Sequence, residues 1–141
     1  MTGNDSTHTN PRWSFWAIGI ATLLFNGLGC LNFVSQLSPE MVATLPEPYR
    51  TLIESRPVWA TVGFGLAVFG GLLGAILLLM RKAVAGLVFI IALAGALIAQ
   101  LPLISMPDAP TAGWVGGLSQ VVFTLMLIFY VRYARRRGWV E

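Results

Sequence analysis

The residues of this chain that could do chemistry are mostly amides, and they lie inside stretches that are otherwise apolar. Asn26, Asn32 and Gln36 share one such stretch, Gln100 lies in another, and Ser119 and Gln120 lie in a third. An amide donates and accepts hydrogen bonds but does not change its protonation state near neutral pH. It can bind and orient a ligand, whereas general acid–base catalysis needs a titratable group beside the reacting atom. The interiors of the apolar stretches hold no Asp, Glu, Lys, Arg or His, and a proton-coupled carrier normally needs one. A single cysteine, Cys30, excludes an internal disulfide, and a single histidine, His8, sits in a polar leading segment. Zinc, haem and Cys–His nucleophile chemistry therefore lack their parts. No metal, cofactor or enzymatic activity is expected.

Composition says what must hold these amides. Of 141 residues, 56% are hydrophobic and 11% charged, against about 25% charged in a soluble domain. A water-soluble surface cannot be covered so sparsely, but a bilayer removes that need. After a polar segment over residues 1–12 come four apolar runs, 13–37, 57–80, 83–103 and 113–133, followed by a basic tail over 135–141. Each run meets the roughly 20 residues needed to cross a hydrocarbon core. The second and third are divided only by Arg81 and Lys82, and one helix over both would run roughly 70 Å. The charged pair must mark a tight hairpin. The fold class expected is all-α, a four-helix transmembrane bundle.

Orientation follows from Lys and Arg. Arg12, Arg81, Lys82, Arg132, Arg135, Arg136 and Arg137 fall on one side, and only Arg50 and Arg56 on the other. Seven against two assigns the first side, with both chain ends, to the cytoplasm. The arginine cluster after the fourth run reads as a topology anchor on anionic lipid, and no nucleic-acid partner is expected. Trp13, Trp16, Tyr130, Tyr133 and Trp139 would belt the inner interface, and Trp59 and Trp114 the outer one. In the outer loop, Ser38, Pro39 and Glu40 read as an N-cap, a proline at N1 and a first-turn acid. Tyr49, Leu52 and Ile53 follow at helical spacing, so two short amphipathic helices are expected there, and Pro57 should open the second span at N1. Leu28-Gly29-Cys30 resembles a lipoprotein signal, but Gly27 stands where a branched apolar residue is required. The first span should stay attached and Cys30 unlipidated.

Small residues recur four apart: Ala67 with Gly71, Gly70 with Gly74, Gly71 with Ala75, Ala92 with Ala96. Such pairs let helices approach closely in lipid, within one chain or across a homo-oligomer, the former being preferred here. On this reading Gly71→Leu should disturb the bundle more than Leu78→Ala. At about 100° per residue, Asn26, Gly29 and Asn32 fan over one face of the first span, flanked by Thr22 and Cys30. Asn32, Gln36, Gln100, Ser119 and Gln120 all fall in the outer half, with Asn26 and Thr124 near the middle, while residues 70–80 and 83–93 are dry. The asymmetry predicts an outward-opening polar pocket beneath the loop helices, with Asn26, Asn32 and Gln120 meeting water. The alternative is that the amides only bond helix to helix, at roughly 0.6 kcal/mol each.

Several stretches together resemble a family of small bacterial four-helix membrane proteins that often carries the label sugar transporter. They are Phe25, Asn26, Gly27 and Gly29; Pro57 to Ala60; and Ala67 to Lys82. The resemblance covers most of residues 13–137 and implies a bacterial cytoplasmic membrane. The chain departs from the pattern at Phe25, where a tryptophan often precedes the asparagine, and at Asn32, where an acid is frequent. The leading expectation is a non-enzymatic membrane protein binding a small molecule, lipid or partner through Asn26, Asn32, Gln36, Gln100, Ser119 and Gln120. The second is a small transporter acting as an oligomer.

Overall fold

The computed structural model describes residues 10–141; the polar stretch over residues 1–9, with His8, lies outside them. Six helices follow in order: α1 Trp13–Gln36, α2 Pro39–Ala43, α3 Tyr49–Glu54, α4 Val58–Leu79, α5 Ala85–Ile104 and α6 Thr111–Arg136. The described residues are all-α, and α1, α4, α5 and α6 are each long and apolar enough to cross a membrane. With no water in hydrocarbon to take up backbone groups, a helix is the conformation that satisfies them internally. Large exposed apolar residues such as Leu24, Leu31, Val62, Leu97 and Met126 then face lipid at no cost. This is the multi-pass membrane protein and four-helix bundle read from the sequence.

The four long helices run alternately up and down. α1 packs on α4, α4 on α5 and α5 on α6, whereas α1 and α6 meet through side chains rather than along a shared backbone interface. The α4–α5 seam is the tightest. A Cβ on Gly63 would lie 2.9 Å from the Gly95 carbonyl oxygen, and one on Gly74 would lie 2.6 Å from the Phe89 ring. Gly70 sits opposite Ala92 on the same seam, with 3.2 Å from its ideal Cβ to the alanine's. Gly71 points the other way, at α1, where a Cβ would overlap the Asn26 amide. Gly70, Gly71 and Gly74 thus all serve contacts within the chain.

The ends of the bundle differ. At one end, called here the hairpin end, residues 80–84 join α4 to α5. A core of Phe15, Leu78, Phe89, Leu127, Val131 and Trp139 is closed from solvent there. Leu78 is fully buried in this core, so its truncation carries a cost of its own, although Gly71, pressed against Asn26, remains the more demanding position. Both helix ends are finished in the same way. Beyond α4, the Arg81 N–H reaches the Leu78 carbonyl (2.9 Å) and the Lys82 N–H that of Leu77 (2.8 Å). Beyond α6, Gly138 and Trp139 donate likewise to Arg135 (3.0 Å) and Ala134 (2.9 Å). These are Schellman closures, which need a left-handed residue after the cap. Gly138 adopts it at φ 72° and Arg81 at φ 61°.

Residues 139–141 are consequently tied back onto the hairpin. The Glu141 N–H donates to the Arg81 carbonyl (2.8 Å), and the Arg81 Nε donates to the Trp139 carbonyl (2.7 Å). Trp139 is buried against Phe15 and Tyr133 instead of joining an interfacial belt with exposed Trp13. At the opposite end, called the loop end, α2 follows Ser38 with Pro39 at N1 and Glu40 in its first turn, but the serine side chain makes no capping bond. Pro57 is the N-cap residue of α4 rather than N1, extended at φ −62° and ψ 149°. α6 is longer than its apolar run, from Thr111 to Arg136, because small and basic residues outside a hydropathy window still favour helix, the basic ones at its negative end.

Candidate binding cavity

The missing α1–α6 seam leaves space at the loop end. A cavity of about 710 Å³ lies between the two helices, with α4 and α5 behind it and α3 above. Small residues create the room: Ala99 on α5, and Ala112, Gly113, Gly116 and Gly117 on α6. Nothing stands within 4 Å of where a Gly116 side chain would start. Gly117 makes room for the Gln100 side chain, whose amide a Cβ there would overlap.

Of the candidate residues, Asn32, Gln36, Gln100 and Gln120 line this cavity. Gln36 Nε2 donates to Asn32 Oδ1 at 3.3 Å along one helix face. The Gln100 carbonyl oxygen is buried and has no hydrogen-bond partner among the described residues. Such an atom costs about 1–3 kcal/mol unless something donates to it. Gln120 is the deepest of the four. Its Nε2 donates to Thr124 Oγ1 (3.3 Å) and, at the limit of bonding distance, to Asn26 Oδ1 (3.5 Å).

Two of the candidates lie elsewhere. Asn26 is 1% exposed, clamped over Gly71, with its Nδ2 donating to the Thr22 carbonyl at 3.0 Å. It closes the cavity floor from beneath without meeting water, which corrects the expectation for this position. The close approach of α4, possible only because residue 71 is a glycine, seals it. Ser119 is exposed and outside the lining. One residue is about 100° on a helix, so with Gln120 turned inward Ser119 turns out.

Among the lining residues that sequence reasoning missed, Arg56 carries the charge. Its Nη1 donates to Gln36 Oε1 at 2.9 Å, and its guanidinium stands 5.3 Å from the Phe64 ring centroid. Burial lowers its pKa from the ordinary arginine value, though an arginine remains charged. No carboxylate among the described residues pairs with it; the loop's ion pair is Arg50 with Glu47, at 2.8 Å. The signal available was a cation directly before Pro57 with an aromatic two turns further on. What hid it was that the pairing with Gln36 depends on the α1 end lying beside the α4 start. Glu47 holds the start of α3: its carboxylate accepts from the Thr51 hydroxyl (2.6 Å) and Arg50 Nε (2.9 Å), which lowers its pKa.

The lining is thus apolar for the most part, through Phe25, Leu28, Phe64, Val68, Leu103 and Met106, with Arg56 and Gln36 at the mouth, Asn32 and Gln100 below them and Gln120 deepest, and with hydroxyls from Tyr49, Ser55 and Ser105. At 1.5 Å per residue, Gln120 lies roughly 13 Å down α6, while Asn32 and Gln100 lie roughly 6 Å from their helix ends. Such an arrangement can hold a molecule by hydrogen bonds and burial. Among the described residues no group of His, Cys, Asp and Glu is arranged to bind a metal ion. Comparison with protein-family models, with curated proteins and with solved structures found no match for this chain.

Proposed function

We propose that the protein is a non-enzymatic membrane protein that binds a small amphipathic molecule in the loop-end cavity, which faces outward. The observation that carries this reading is the cavity itself. Its 710 Å³ falls within the roughly 300–1,000 Å³ typical of ligand sites, which are likewise mostly apolar with a few placed polar groups. The side-chain chemistry supports binding over reaction, because the polar lining is amides, hydroxyls and one guanidinium, without a carboxylate or imidazole. Outward orientation rests on the seven Lys and Arg residues at the hairpin end, where the positive-inside bias assigns the cytoplasm. The transporter reading suggested by the family resemblance requires a polar path through both halves. Phe15, Leu78, Phe89 and Trp139 fill the hairpin half, which weighs against it.

Thiol accessibility tests the reading. In a Cys30→Ala background, cysteines replacing Asn32 and Gln36 should react with a membrane-impermeant maleimide added outside. Cysteines replacing Ile76 and Phe89 should stay unlabelled, since a thiol in hydrocarbon or tight packing does not ionise. Inert rim positions would sink the binding site. Labelling at Phe89 would instead reveal an aqueous path and revive transport.

A further inference from the structure

We infer that the ligand is a single-chain amphiphile with a carboxylate head, held at Arg56 and Gln36, its chain leaving between α1 and α6 into the surrounding hydrocarbon. This rests on the binding reading above and adds the ligand class and its route of entry.

The head follows from the charges. Arg56 is the one cation of the lining, with no carboxylate among the described residues paired to it. One guanidinium calls for one negative charge. Its Nη1 is engaged with Gln36 Oε1, which fixes the planar fork and leaves donors directed elsewhere, and a carboxylate is the small planar acceptor that matches them. Phe64 beneath the guanidinium holds the cation from its far side. A half-buried charge is costly unless paired, so an anion gains more here than it would in water. Asn32 and Gln36 add amide hydrogen bonds around the same point.

The chain follows from the opening. α1 and α6 share no backbone seam, and their sides of the cavity carry exposed Leu28 and Gly116. Phe25 and Phe123, with ring centroids 4.5 Å apart, close the gap towards the hairpin end. A chain passing between Leu28 and Gly116 stays in apolar surroundings from head to tail. The bulk ligand therefore need not fit inside the cavity, and entry is lateral, from the membrane.

A diazirine-bearing palmitic acid serves as the probe, with its methyl ester as the neutral counterpart. The full chain is placed in phosphatidylcholine nanodiscs at a pH that ionises the acid, and photolabelled peptides are mapped by mass spectrometry. The acid should label residues 25–32 and 112–117 in preference to the lipid-facing stretches around Leu97 and Met126. Excess oleate should abolish that labelling, whereas phosphatidylglycerol should not. Arg56→Gln should lower it about tenfold, the scale of a lost charge-assisted bond, and Arg56→Lys should retain most of it. Gly116→Phe, which fills open space, should block the acid's labelling of the cavity. If the ester labels the cavity as well as the acid, the carboxylate inference falls while the binding site stands. Displacement by phosphatidylglycerol but not oleate would overturn the single-chain assignment. Even labelling of all lipid-facing positions by both probes would remove the binding site itself. Should Arg56→Gln fail to fold, the comparison of acid with ester on the unaltered chain still decides.

Discussion

Asn26 and Asn32 sit on the same helix, less than two turns apart, and belong to two different proteins in miniature. In the hairpin half, α1 is drawn onto α4 at Gly71, and Asn26 is sealed with its bonds made inside the bundle. In the loop half, α1 and α6 stand apart, and Asn32 is exposed on the rim of a cavity. The residue type is the same; the closeness of the neighbouring helix decides its role. In lipid, helices gain little from burying apolar surface, and what holds them together is close packing. Where a glycine draws α1 onto α4, as at Gly71, the bundle is dry and tight. Where no such contact joins α1 to α6, as at Gly116, it stays open.

The largest test of that contrast sets two glycines against each other. Gly71→Leu drives a side chain into the Asn26 amide, so its cost should exceed the usual ~1–3 kcal/mol of overpacking. Gly116→Leu meets open space and should leave thermal unfolding in detergent nearly unchanged. Equal behaviour would erase the distinction between the halves. Two leucines give the next step down. Leu78→Ala, fully buried at the hairpin end, should cost about 2 kcal/mol, the low end for such truncations because lipid rather than water solvates the unpacked surface. Leu28→Ala on the cavity rim should stay within about 0.5 kcal/mol. Thermal aggregation midpoints rank the pair.

Gly138→Ala comes third. At φ 72° a Cβ costs about 1 kcal/mol, and hydrogen exchange at residues 139–141 should rise as their backbone hydrogen bonds with Arg81 and Ala83 loosen, with the loop end unaffected. Smallest is Gln120→Leu, which removes bonds to Asn26 and Thr124 and should cost roughly 0.6 kcal/mol. A cost several times larger would mean that the floor amides, rather than the packing of α6 on α5, hold α6 to the bundle.

Much of this molecule can be read without coordinates, for specific reasons. The four runs declare themselves because a bilayer demands about 20 apolar residues from each span. Arg81 and Lys82 declare the hairpin because a single helix over both runs could not fit. The loop helices are legible in Pro39, Glu40 and the spacing of Tyr49, Leu52 and Ile53. Asn32, Gln36, Gln100 and Gln120 were placed in one half by counting residues from the span ends. Ser119 was misjudged because counting gives depth but not azimuth. Trp139 was misjudged because hydropathy does not register that Arg137, Gly138 and Trp139 form a Schellman signature that turns the chain back onto Phe15.

By itself, then, the sequence determined what solvent each segment meets and how deep each polar group lies, since both follow from composition and a rise of 1.5 Å per residue. Only the tertiary structure decided which amides are shut in and which face the cavity, and that Arg56 comes to Gln36. Those outcomes depend on how closely two helices approach. In a membrane that distance is set by where a glycine on one helix finds a partner on the next. Gly71 finds Asn26, while Gly116 finds nothing, and the cavity lies where that contact is missing.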